Sequence, residues 1–251
     1  MKADIILGVV PQQSPLKLFK IWKPVAKYLS EEIGEKVHFK TEKSIKVFSE
    51  KLYQGKYDLA YMNALQFVLV NTNYKYEALV RSDKLIRGIL VMRKSDSLSK
   101  YQGQKLRILF PSPVAFAATI LMKYDLLEKY NIDLQTIKNA RYVNSHDSVY
   151  RGIARGLGDI GGGIERTFAY KDNQPLHKKI KIVHTSTGYP THPFAVRKTV
   201  SKKVKDKLKK ALLNMPKYLL QKLNMKRLKE VKNSDYLSVE KLAKKLNISV
   251  E

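Results

Sequence analysis

The sequence predicts an α/β protein of two lobes, each built on its own sheet and covered by helices. Three observations carry this. Strand-like apolar runs alternate with amphipathic helix-like runs along most of the chain. Its 251 residues are enough for two cores of medium size. One helix–strand unit also recurs: SIKVFSEKLYQGKYDLA (44–60) and SHDSVYRGIARGLGDIG (145–161) align without gaps at an offset of 101. Ser44 then meets Ser145, Leu52 meets Ile153, Gly55 meets Gly156 and Asp58 meets Asp159. Any helix–strand unit shares part of this pattern, and two related lobes account for the rest.

The elements follow in order. DIILGVV (4–10) reads as an apolar strand. A helix covers about 16–33, with Phe19, Trp22, Ala26, Leu29 and Ile33 on one face and Gly34 as its stop. VHFK is a strand, IKVFSEKLYQG a helix and YDLAYMN a buried strand. A short helix spans about 64–70, and EALV and RGILVMRK are strands. The second series runs through RILF, a helix over 114–130, ARYV, a helix over 147–155, DIGGGI and IKIVHTS. After AVRK come two or three helices. Such alternation predicts a mixed, mostly parallel sheet in each lobe. Open α/β sheets bind ligands at strand carboxyl ends. The predicted site is therefore a cleft between lobes, lined by 61–63 on one side and by 110–116, 144–148 and 162–167 on the other.

Composition narrows the function. At 44% hydrophobic the chain is globular, and no apolar run approaches the roughly 18 residues of a membrane span. Met1-Lys2-Ala3-Asp4 leads straight into a strand, with no basic segment ahead of an apolar one. That leaves two locations open: the cytoplasm, or outside the membrane with a leader removed. Zero cysteines exclude disulfides, thiolate metal sites and cysteine nucleophiles. The net charge of +26 resembles a nucleic-acid signature, but only 10 of the 48 basic residues are arginine. Residues 197–232 hold 14 Lys/Arg against 2 acids, yet Val204, Leu208, Ala211 and Leu212 form an apolar stripe there. A solvated lysine face is the simpler reading, and no nucleic-acid partner is expected.

Catalytic signatures are missing. SHDS holds Ser, His and Asp, but neighbours at a helix start point different ways and cannot form a triad. There is no GxSxG, P-loop or GxGxxG, and the five histidines lack metal-ligand spacing. No enzyme activity, cofactor or metal is expected; a transferase or hydrolase on the same frame is the enzymatic rival.

Binding chemistry is better represented. FPSPVAFAAT (110–119) ends a strand, turns at two prolines and opens a helix, a place where free N–H groups and the helix dipole attract anions. No hydroxyl stands at Pro113, Val114 or Ala115, so anchoring falls to Ser112 and to the amides of about Ala115 to Ala117, beside Phe116. Tyr61 and Asn63 lie just past a buried strand. His146 opens a helix, where an imidazole can donate to an oxyanion, and Ser145 and Ser148 can cap that helix or bind. Thr167 follows the Gly161-Gly162-Gly163 strand, and Gln12 follows the first strand.

These stretches also carry a family resemblance. GVVPQQSP, YDLAYMNALQF, FPSPVAFAAT, YVNSHDSVYRGIARG, GGGIERTF and HPFAVRK together resemble the phosphonate- and phosphite-binding proteins of ABC transporters, over about residues 4–200. The resemblance implies a two-lobed type II periplasmic-binding fold. Lobe one would be 1–88 plus 187–251 and lobe two 89–186, with hinges near 88–90 and 185–188. It implies phosphonate contacts at Tyr61, Asn63 and His146. Family members that bind aminophosphonates hold the ammonium with two acids; Glu165 matches one, and His192 stands at the other. Where relatives often carry Ser-Thr-Ser, this chain has Pro113-Val114-Ala115. The implied role is that of a monomeric, periplasmic or otherwise extracytoplasmic receptor, lipid-anchored or not. It would capture a small oxyanion and deliver it to a membrane permease; a sensing domain feeding a histidine kinase is the alternative. The apolar helix start and His192 predict weak binding of inorganic phosphate and aminoethylphosphonate, and preference for an anion of lower charge or with an apolar substituent.

Overall fold

The computed structural model describes residues 4–71, 75–101 and 106–248. The chain divides into two compact units, Met1–Leu85 with Pro190–Glu251, and Ile86–Tyr189. In chain order the strands are β1 (Ile5–Val9), β2 (Val37–Lys40), β3 (Leu59–Tyr61), β4 (Tyr76–Ser82), β5 (Leu85–Ile86), β6 (Gly88–Arg93), β7 (Ile108–Phe110), β8 (Arg141–Tyr142), β9 (Ile160–Ile164), β10 (Ile180–Thr185), β11 (Tyr189–Pro190), β12 (Pro193–Arg197) and β13 (Leu228–Glu230). The chain passes from one unit to the other within β5 and again within β11.

The sheet of the first unit has the order β13-β4-β12-β3-β1-β2, and that of the second β10-β6-β9-β7-β8. β1 pairs in parallel with β2 and β3, and β7 with β8 and β9. β12 lies antiparallel to β3 and β4, and β6 antiparallel to β9 and β10. Most strands of each sheet thus run one way, as strand–helix alternation requires. The pairing is more mixed than the sequence implied, because the strand entering each unit after a crossing runs backwards inside the sheet.

The two sheets share one arrangement, β2-β1-β3-β12-β4 in the first and β8-β7-β9-β6-β10 in the second. The internal repeat is correspondingly detailed. Ser44 and Ser145 are both helix N-caps, at φ −151°, ψ 159° and φ −150°, ψ 158°, accepting from the N–H of Val47 and Ser148. Each helix stops at a glycine with positive φ, 71° at Gly55 and 76° at Gly156, a conformation that disfavours any side chain. Asp58 Oδ2 accepts the N–H of Ile6 at 2.9 Å, and Asp159 Oδ2 that of Arg107 at 3.0 Å. On the reversed strands, Arg197 donates to Asp58 Oδ1 at 2.6 Å and Arg93 to Asp159 Oδ1 at 3.3 Å.

The helix Pro15–Ile33 is capped by Ser14 and ended by Gly34 in the left-handed region. Its buried face is Leu18, Trp22, Val25, Ala26, Leu29 and Ile33. Phe19, expected on that face, is 47% exposed. It lies one position, about 100°, round from the stripe that starts at Leu18, and its ring sits near Phe39 instead. Toward the carboxyl end the helix Lys202–Leu213 buries Val204, Leu208, Ala211 and Leu212 and exposes its lysines, as the stripe predicted. β13 was not anticipated, because KRLKEVK is too charged to read as a strand.

Candidate functional site

In the second unit, β8, β7 and β9 are neighbours and parallel, so their carboxyl ends share one edge. Each leads to a helix start. After β7, Ser112 C=O accepts the Ala115 N–H at 3.2 Å and the Thr119 hydroxyl at 2.7 Å. Ala115 C=O takes two donors, the N–H of Thr119 at 2.9 Å and of Ile120 at 3.2 Å. The helix therefore opens at Phe116, not Val114, with a wide π-helical turn, Phe116–Leu121, and no side-chain cap. Such turns are rare and concentrate at functional sites. The Ala115 N–H is consumed by this turn, which corrects its expected place among the anchoring amides. The N–H groups of Phe116, Ala117 and Ala118 meet no acceptor among the described residues, although all three residues are buried. Buried, unanswered backbone donors at the positive end of a helix are an anion-holding arrangement. The apolar wall beside them is Val114, Ala115 and Phe116, with Tyr189 edge-on to Phe116 at 5.5 Å.

After β8, Ser145 caps the helix His146–Ala154 and also donates to Ser148 Oγ at 2.9 Å. Ser145 is thus the cap, and the Ser148 hydroxyl is its hydrogen-bond acceptor. His146 is only 7% exposed, and its Nδ1 lies 3.0 Å from Thr167 Oγ1, at the helix start after β9. The structure brings these two predicted residues together across 21 positions. Tyr150 joins them, its hydroxyl 2.8 Å from Thr167 Oγ1 and accepting the Ile164 N–H at 3.1 Å. No local pattern singles it out, since Tyr150 reads as one more residue on the buried stripe of its helix. Glu165 opens the same short helix with an exposed side chain.

Burial drives the His146 imidazole down to about 4, with Asp147 opposing the shift and Arg166 adding to it. The folded ring thus resists a proton that the unfolded chain accepts near 6.5. Stability from this group is complete above that value and falls as pH drops from 6.5 toward 4, by up to about 3 kcal/mol. Urea unfolding at pH 7 and pH 4.5 should show a smaller loss for His146→Gln than for the parent. An equal loss in both proteins would refute the assignment.

In the first unit, the ends of β1, β3 and β4 share an edge in the same way. Tyr61 is packed among rings, 4.9 Å from Trp22 and from Phe194, and stacks on His192 at 5.3 Å. Gln12 Nε2 lies 2.9 Å from His192 Nε2, so two predicted residues 180 positions apart meet here. An amide nitrogen only donates, which makes His192 Nε2 the acceptor in this pair and keeps that nitrogen unprotonated. Asn63 exchanges hydrogen bonds with Gln66: its Oδ1 accepts the Gln66 N–H at 2.8 Å, and its own N–H donates to Gln66 Oε1 at 3.0 Å. This capping pair starts the helix Ala64–Asn71. Arg81, not singled out from the sequence, is 93% buried near the end of β4, where its guanidinium donates to the carbonyls of Ser82 and Lys84. It adds positive charge at this edge. By contrast, the basic surface cavity near Lys202 is neutralised locally, since Lys205 pairs with Glu77 and Lys209 with Glu230.

Two α/β units of shared topology, one holding buried free amides at a helix start, are the frame of a class of receptors that bind small anions. Comparison with known proteins agrees. A family model described as "ABC transporter, phosphonate, periplasmic substrate-binding protein" matches residues 7–236, and the chain belongs to this family. Among solved structures, PhnD1 from Prochlorococcus marinus in complex with methylphosphonate is 18% identical, covers 99% of this chain and 100% of its own, and has a TM-score of 0.88. The binding-protein component of an ABC phosphonate transporter from Pseudomonas aeruginosa is 18% identical over 96% of this chain and 86% of its own, at TM-score 0.84. A Xanthomonas citri protein bound to chloride ion is 14% identical over 97% of both chains, at 0.81. The fold is that of a two-lobed periplasmic binding protein. Among the described residues no helix is long and apolar enough to cross a membrane.

Proposed function

We propose that the chain captures a singly charged or apolar-substituted oxyanion, of the phosphonate or phosphite kind, outside the cytoplasmic membrane. It hands the ligand to a permease as a monomer and does not transform it. The observation that carries this reading is the trio of buried, unanswered amides at Phe116, Ala117 and Ala118. Ser112, just before the turn, adds a side-chain hydroxyl with no partner among the described residues. His146 and Thr167 in the same unit, with Tyr61, Asn63, Gln12 and His192 in the other, are the proposed further contacts. Glu165 would face an ammonium group, but with His192 in place of a second acid such a ligand is poorly served.

The π turn supports the expected ligand preference. It offers amides without hydroxyls against an apolar wall, an arrangement that suits a P–CH3 or P–H group better than a fully hydrated dianion. A thermal-shift screen should show methylphosphonate or phosphite raising the melting temperature, with inorganic phosphate, sulfate and aminoethylphosphonate weak. His146→Ala should weaken the best ligand by about 1–3 kcal/mol in titration calorimetry. Nanomolar aminoethylphosphonate, or no response to any oxyanion, would overturn the reading.

A further inference from the structure

The hydroxyls behind His146 bear on which of its ring nitrogens carries the proton. Four contacts at hydrogen-bond distance meet there: Tyr150 to Thr167 at 2.8 Å, Thr167 to His146 Nδ1 at 3.0 Å, and both hydroxyls to Ile164 C=O at 3.1 Å. Only two hydroxyl protons exist to fill them. If Nδ1 is bare, at most two contacts hold a proton and two oxygen or nitrogen lone pairs face one another in the core. If Nδ1 carries hydrogen and donates to Thr167, three of the four are filled. The Ile164 N–H, already donating to Tyr150, supports either hydroxyl order. Buried polar groups that close into a satisfied network are strongly favoured over partly satisfied ones.

We propose that His146 offers its ligand a lone pair rather than a proton, so that the receptor takes up the singly protonated form of its oxyanion. This rests on the reading that His146 touches the ligand. In a neutral ring with hydrogen on Nδ1, the other nitrogen, Nε2, can only accept. That nitrogen has no partner among the described residues. A phosphonate monoanion carries one P–O–H group that donates to it, while its remaining oxygens, sharing one charge, suit the amide donors of Phe116, Ala117 and Ala118. A dianion would set a bare oxygen against the lone pair. The sequence suggested a donor histidine; proton counting reverses the direction of that bond.

The surroundings keep the ring neutral at working pH, since burial lowers its affinity for a second proton. The charged groups near it are Asp147, on its own helix, and Arg166, on the helix after β9. Asp147 Oδ1 accepts from Asn173 at 2.8 Å, and His177, from the same segment as Asn173, stacks on Phe168.

Nitrogen-15 NMR of the ligand-free protein reads the tautomer directly, and hydrogen on Nδ1 with a bare Nε2 is expected. Calorimetry with methylphosphonate from pH 6 to 9 should show Kd rising about tenfold per pH unit once the ligand loses its second proton. The monomethyl ester of methylphosphonate, singly charged but without P–O–H, should bind at least about tenfold more weakly at pH 6. Thr167→Val should flatten the pH dependence by removing the Nδ1 acceptor, and Thr167→Ser should restore it. Hydrogen on Nε2, or a Kd that holds steady or tightens as pH rises, would overturn the proposal and leave the receptor function standing. Hydrogen on Nδ1 with neither methylphosphonate nor phosphite, nor any other tested oxyanion, bound at any pH would overturn the receptor reading and, with it, the proposal.

Discussion

Asp159→Ala is expected to destabilise the second unit by about 3–5 kcal/mol, the range for breaking a buried ion pair. The carboxylate is 5% exposed and satisfies both ends of a strand entrance. Its Oδ2 accepts the Arg107 backbone N–H and Nε, both at 3.0 Å. Its Oδ1 accepts from the Arg107 guanidinium at 2.6 Å and from Arg93 at 3.3 Å. Burial alone would raise its pKa, but the Arg107 hydrogen bonds, helped by Arg93, pull it down to about 2. The contribution of this charge is therefore complete above the unfolded carboxylate value of 3.8 and is lost as pH falls through 2. Asp159→Asn keeps an acceptor for the backbone and should cost less than the alanine. Asp58→Ala, at the equivalent place in the first unit, loses a more exposed carboxylate and should also cost less. Urea midpoints rank the three variants; an Asp159→Ala cost under 1 kcal/mol would mean that the strand entrance is held by packing alone.

Gly162→Ala should be as damaging, by about 3 kcal/mol or more, because nothing around it can give way. A methyl group there would sit 2.0 Å from the Ala118 carbonyl oxygen and 2.5 Å from the Phe110 ring. The first is backbone in the π turn, and the second is a fully buried ring at the end of β7. Relief requires moving the turn that presents the amides of Phe116 to Ala118. The variant should thus lose ligand affinity even at temperatures where it remains folded. Calorimetry on folded Gly162→Ala separates the two effects. Normal affinity would show that the turn is not rigidly seated on β9.

The repeat explains much of what could be read in advance. Ser44 and Ser145, Gly55 and Gly156, and Asp58 and Asp159 stand at one offset because each is a local requirement of a helix–strand unit: a cap, a left-handed stop, a tether for the neighbouring strand. Arg197 and Arg93 do the same work in the two units but break the offset, since their strands enter after the crossings. No local pattern signals that. The π turn was equally hidden: Phe116 to Leu121 is an apolar run that an ordinary helix would suit, and the widening comes from two donors on one carbonyl. In the candidate site, residue types were legible at strand ends, and their partners were not. His146 and Thr167 were both singled out, yet their contact, and Tyr150 behind it, depends on the packing of two helix starts. Gln12 and His192 are joined only by the closing of a sheet.

In chain order, the later unit is the first that is complete. Residues 86–189 are contiguous and carry every strand of their five-stranded sheet. The unit that starts at the amino end must wait for Pro193–Arg197, because β12 lies between β3 and β4. Until that strand is present, β3 has one unpaired edge and β4, whose other neighbour β13 comes later still, has two, the kind of surface that recruits other strands. By the order of its segments the second unit can close before the first, reversing the usual order in which the amino-terminal domain folds first.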